Sequence, residues 1–207
     1  MSWIAGNQKI SKYEDVNSSL EKLTGDLEDI QAKITFAKFL RSNLGFAVRL
    51  FFKVDLLPIQ EIVLRSILLR DNSLVVAARG FSKSYLLSIL SLFMPIFYPG
   101  SKGILISTNF RRSRSILEEA EKIVKKKNAE LLQSCFPNEM RRANDLFRWQ
   151  VPTCESDVSS LPLSNGEGLR GSRATWVAIY EGLLISKDIQ ENILRPFLMV
   201  KQNAAEE

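Results

Sequence analysis

The stretch from Leu74 to Met94 limits the fold more than any other part of the chain. Leu74-Val75-Val76-Ala77-Ala78 is a short, continuous apolar run, the composition of a central parallel strand buried on both faces. Arg79-Gly80-Phe81-Ser82-Lys83-Ser84 reads as a loop. Residues 85–94 are apolar nearly all round and predict a helix packed against a sheet, with Pro95, Pro99 and Gly100 ending it. Strand, tight loop and buried helix in succession open an α/β unit.

The rest of the pattern continues that unit. Residues 103–107 read as a second strand. Residues 113–127 are amphipathic, with Ile116, Leu117, Ala120 and Ile123 on one face. Residues 134–175 are turn-rich, with hairpin strands around 147–151, and residues 175–179 form a last strand. Ser186 is placed to cap a helix running to about Leu194, with Pro196 after it. Upstream, residues 33–53 carry helical spacing (Ile34, Phe36, Phe39, Leu40), and residues 55–58 break it. A helix over residues 59–69 is expected to face Ile62, Val63, Ile67 and Leu68 inward. The expected architecture is α/β, a parallel-sheet core with helices on both faces and an N-terminal helical leader. The expected divisions are residues 1–54 for the leader, 55–200 for the core and 201–207 for a polar tail.

Composition narrows the chemistry. The chain has no histidine, which removes histidine triads, histidine bases and most zinc sites. Cys135 and Cys154 lack metal-type spacing and read as reduced thiols in a cytosolic protein. No apolar run is long enough to span a membrane, and no signal peptide is apparent. The net charge of +5 is uneven. Residues 1–30 lean acidic, while Lys102, Arg111, Arg112, Arg114, Lys122, Lys125, Lys126, Lys127, Arg141 and Arg142 make the middle basic. A polyanion partner and a lysine-rich solvated face both account for that.

The loop carries the chemistry. Phosphate binding at a strand-to-helix junction needs backbone N–H groups around a concavity, a lysine for the β- and γ-phosphates and a hydroxyl for Mg²⁺. Lys83 and Ser84 suit the last two roles. The usual Gly-x4-Gly-Lys-Ser/Thr pattern is not met, because Ala77 and Ser82 stand where the two glycines belong.

Residues 78–84 resemble the deviant Walker A loop of phage large terminase subunits, the motors that package DNA, in which an arginine sits four residues before the lysine. Leu57-Pro58-Ile59-Gln60 resembles the family's adenine-recognising motif. Gly168-Leu169-Arg170-Gly171 resembles the segment before Walker B, and Val177-Ala178-Ile179-Tyr180-Glu181 resembles Walker B itself. Lys187-Asp188 through Leu194-Arg195-Pro196-Phe197-Leu198 resembles the helix and turn that follow, so that the match covers roughly residues 55–198.

The resemblance implies an ATP site made of Gln60, Arg79, Gly80, Phe81, Ser82, Lys83 and Ser84. Gln60 would read adenine, Lys83 would neutralise phosphate charge and Ser84 would ligate Mg²⁺. Arg79 would act near the γ-phosphate, Arg170 as an arginine finger across a subunit boundary, and Glu181 on the attacking water. It also implies a ring around double-stranded DNA, with a terminase small subunit and a portal protein as partners, in the host cytoplasm at the procapsid portal. Phosphoryl transfer asks for such cations where charge grows on the γ-phosphate.

Two departures stand out. Walker B normally ends in Asp-Glu, and here the pair is Tyr180-Glu181. A phenol is a poor ligand for a hard cation. Either Glu181 serves both tasks, or Asp188 or Asp157 substitutes, or nucleotide binds with little or no turnover. Large terminases also continue into a nuclease domain, and no acidic cluster of nuclease type is found in this sequence. A core incomplete at its C-terminus and no nuclease activity are therefore expected. An ATPase motor and a truncated, degenerate nucleotide- or partner-binding fragment are the two leading readings. A helicase-like or kinase-like P-loop protein is a third, disfavoured by Arg79 and the Leu-Arg-Gly segment.

Overall fold

The structure is a computed structural model that describes residues 29–144, 146–162 and 174–182. It divides into two compact units between Asn43 and Leu44. In the first unit, helix α1 covers residues 29–42. The rings of Phe36 and Phe39 stack along it with centroids 6.5 Å apart, and both are about half exposed.

The second unit begins with helices α2 (Leu44–Phe52) and α3 (Pro58–Leu68). Next come helix α4 (Lys83–Phe97), strand β1 (Lys102–Ser107), helix α5 (Phe110–Val124) and helix α6 (Glu130–Cys135). Strands β2 (Arg141–Arg142), β3 (Phe147–Val151), β4 (Ser156–Ser160) and β5 (Trp176–Tyr180) follow. They form one sheet in the order β2-β3-β4-β1-β5. β1 runs parallel to β4 and β5, whereas β3 is antiparallel to β2 and β4. The expected parallel core is therefore right for three strands, and an antiparallel flank joins it. The tight connection Pro152–Cys154 between β3 and β4 dictates this, because a connection of so few residues reverses the chain.

The core is where the periodicity puts it. Ile116, Leu117, Ala120 and Ile123 of α5 are all buried, as are Leu86, Ile89, Leu90, Leu92 and Phe93 of α4. The two helices pack on one another and on β1 and β4. Each fully buried side chain of this size contributes roughly 1.5–3 kcal/mol. At the β1–β5 seam Gly103 faces Trp176, whose indole occupies the space a Cβ would take. The indole N–H donates to Ser101 Oγ at 2.9 Å, and Thr175 N–H donates to the Lys102 carbonyl at 2.8 Å.

Three local expectations are corrected. α4 runs through Pro95 to Phe97. Pro95 lies in the last turn, so the helix loses only one interior bond, and Tyr98 N–H still reaches the Met94 carbonyl at 3.0 Å. In α3 the buried side chains are Gln60 and Leu64, and Ile62 is 59% exposed. Two residues turn a helix by about 200°, so Ile62 must point away from the face that Gln60 shares with Leu64.

The third correction concerns residues 74–78, which are not a strand of the sheet. Leu74 is 81% and Val76 77% exposed. An apolar run becomes a central strand only when neighbours take its N–H and C=O groups on both sides. Among the described residues β5 ends the sheet and no strand pairs with residues 74–78.

Candidate phosphate-binding site

The loop before α4 is built for close backbone approach. Gly80 has φ +87° and Ser82 φ +61°, both in the left-handed region, with Phe81 between them outside it. A turn closes from Phe81 N–H to the Ala78 carbonyl at 3.4 Å. Backbone that alternates hand in this way turns successive N–H groups toward one side, the arrangement that binds anions. Ser82 is also the N-cap of α4, yet its side chain caps nothing. The first N–H groups of a 15-residue helix are thus left without a side-chain cap where the helix dipole is positive.

Two cations stand at this opening. The Lys83 ammonium is folded back onto the loop, donating to the carbonyls of Ala77 at 2.6 Å and Ala78 at 2.8 Å. Arg79 is exposed and makes no hydrogen bond or ion pair among the described residues.

Tertiary structure brings the end of β5 to the same place. Ser84 Oγ donates to the Tyr180 phenol oxygen at 2.9 Å, across 96 residues of sequence. Tyr180 lies opposite Ser107, at the carboxyl ends of parallel β1 and β5, where ligands of α/β sheets bind. The Ser107 hydroxyl is fully buried and has no hydrogen-bond partner among the described residues. Next along the chain, Glu181 takes a left-handed φ of +59° and forms an ion pair with Arg112. Arg111 and Arg112 occupy the first turn of α5, which has no acidic residue. A cation there opposes the helix dipole by about 0.3–1 kcal/mol, and Glu181 offsets that cost for Arg112.

The remaining expected residues are distributed unevenly. Gln60 is 8% exposed, and its amide oxygen accepts the Leu57 N–H at 3.0 Å, closing the start of α3. One lone pair of the group expected to read adenine is therefore already in use. Asp157 lies opposite Lys102, at the other end of β1 from Ser107, and is paired with Arg148. Five residues of strand separate the two ends by about 16 Å. Asp157 therefore does not replace the missing carboxylate. Arg170 with its Gly168–Gly171 segment, Asp188 and the helix expected after Ser186 lie outside the described residues. Sequence reading missed Arg112 as a partner of Glu181 and Ser107 as a polar group at the strand end. A serine closing an apolar strand and an arginine opening a helix were the available signals.

The donor set suits phosphate better than a divalent cation. Mg²⁺ needs near-octahedral oxygens and favours carboxylate. Here the oxygen beside Ser84 is a neutral phenol, and Glu181 is engaged by Arg112. Among the described residues no three His, Cys, Asp or Glu side chains cluster to hold a metal. These residues do not fit Mg²⁺.

No protein-family model matches the chain, and no curated protein matches it in sequence. Solved structures match it in fold. The ATPase domain of the Thermus phage P74-26 large terminase superimposes with a TM-score of 0.59 at 18% identity, over 74% of this chain and 64% of that one. An arginine-to-alanine variant of that domain gives 0.52 at 17% identity, over 68% and 60%. This chain thus spans less than two thirds of the solved domains it matches. At such identity the likeness speaks for the fold alone, and the chain shares the α/β fold of that solved ATPase domain.

Proposed function

We propose that this chain is the nucleotide-binding part of a DNA-packaging motor of the large-terminase kind. The observation that carries the reading is the meeting of the Lys83–Ser84 helix start with the end of β5, at the carboxyl ends of the parallel strands. ATP phosphates would lie against the N–H groups of Gly80 to Ser84. Lys83 would exchange its two loop carbonyls for phosphate oxygens, and Arg79 would supply a second positive charge. Glu181 is the group that would orient the attacking water, and Arg170 would act across a subunit boundary on the charge that grows at the γ-phosphate.

In a complete motor, this unit would sit in a homo-oligomeric ring with a small terminase subunit, a portal protein and double-stranded DNA, in the host cytoplasm at the procapsid. Tyr180 favours the second reading, in which nucleotide or partner subunits bind with little or no hydrolysis. Titration with a fluorescent ATP analogue beside Lys83→Ala tests the site. The variant is expected to lose at least tenfold in affinity, and equal binding by both proteins would remove the phosphate-loop assignment.

A further inference from the structure

We infer that this site takes the nucleotide as a free polyphosphate, without a divalent cation. The inference rests on the nucleotide-site reading above and concerns the form of the ligand.

Among the described residues, no free carboxylate stands beside Lys83 to hold a metal. Ser84 is the hydroxyl at the head of α4, and its Oγ donates to Tyr180 Oη at 2.9 Å. The Tyr180 side chain stands where a carboxylate would complete the coordination, and it is a neutral phenol. Glu181, the one carboxylate adjacent in sequence, is neutralised by Arg112. Asp157 lies at the far end of β1 and is paired with Arg148.

The charge balance points the same way. Lys83 and Arg79 have no carboxylate partner among the described residues, and the start of α4 adds the positive end of a helix dipole. A site with cations and, among the described residues, no free anion favours the ligand form of greater negative charge. Chelated ATP is two charges less negative than free ATP, so the metal would weaken the attraction and bring a cation with nothing to coordinate it. Phosphate needs only N–H groups, an ammonium and a guanidinium, and all three are present.

The test is equilibrium binding of a fluorescent ATP analogue to the full chain, with excess Mg²⁺ and with excess EDTA. Circular dichroism and thermal melts would confirm that each variant is folded. The wild-type Kd is expected to agree within threefold under the two conditions, or to be tighter in EDTA. Tyr180→Phe should behave likewise, because it also lacks a carboxylate. Tyr180→Asp should become metal-dependent, binding at least tenfold tighter with Mg²⁺. Wild-type binding weakened more than threefold by EDTA overturns the inference while leaving the nucleotide site intact. Absence of binding under both conditions removes the site reading itself.

Discussion

The Ser84 hydroxyl and the Tyr180 phenol meet at 2.9 Å, one at the head of α4 and the other at the foot of β5. Two segments nearly a hundred residues apart thus meet, and the oxygen facing Ser84 across that bond is a phenol, where a hard cation favours a carboxylate.

Hydrolysis should follow from residue 180. The chain as it stands is expected to release phosphate from ATP slowly or not at all. Tyr180→Asp is expected to gain at least tenfold in Mg²⁺, since a hard carboxylate then stands beside Ser84. Phosphate-release assays on both proteins check this, and equally brisk rates would show that residues 176–180 are not the Walker B strand.

Arg112 should restrain Glu181 without stabilising the fold appreciably. Both side chains are partly exposed, so the ion pair contributes at most about 1 kcal/mol. Arg112→Ala is expected to leave the urea midpoint nearly unchanged. In the Tyr180→Asp background the same substitution should raise turnover severalfold, because Glu181 is free to orient water. Unchanged turnover there would show that the pair places no restraint on Glu181.

Residues 74–78 should tolerate polar substitution. At 81% exposure, Leu74→Ser is expected to cost under about 0.5 kcal/mol, where a buried leucine truncated so far would cost roughly 2–5. Amides of this segment should also exchange with solvent quickly. A loss of several kcal/mol in urea unfolding would restore the buried central strand that the composition suggests.

Gly103→Ala should be costly in spite of its small size. The added methyl meets the Trp176 indole at the β1–β5 seam, where both strands are pinned by hydrogen bonds from Thr175 and Trp176. A loss of about 1–3 kcal/mol is expected. Gly103→Ala combined with Trp176→Leu should recover part of it if the clash is the cause.

Cys135 should react slowly. Burial, and secondarily the neighbouring Cys154, push its thiol pKa upward. The folded chain therefore keeps this proton at pH values where the unfolded chain releases it. The corresponding stability is fully present below the unfolded thiol pKa and is lost as pH rises through the folded one. Iodoacetamide labelling of Cys135 should lag that of the urea-unfolded chain at pH 8 and converge at higher pH. Equal rates at pH 8 would show that the thiol is not shielded.

What was legible in the sequence was local. The period of Ile116, Leu117, Ala120 and Ile123 determined the buried face of α5, because one helical stripe is enough to bury such a set. The apolar composition of residues 103–107 and 175–179 marked two strands, observed in parallel over Lys102–Ser107 and Trp176–Tyr180, and the Arg79–Ser84 loop at the head of a buried helix marked the candidate site. Tertiary structure decided the rest. Leu74 to Ala78 have the composition of a strand, but pairing depends on neighbours that composition does not name. Ile62 was expected to face inward and is exposed, because only packing selects which side of a short helix is buried. The contacts of Ser84 with Tyr180 and of Glu181 with Arg112 arise where β1 and β5 end together. Spacing along a chain carries no information about which distant side chains converge there.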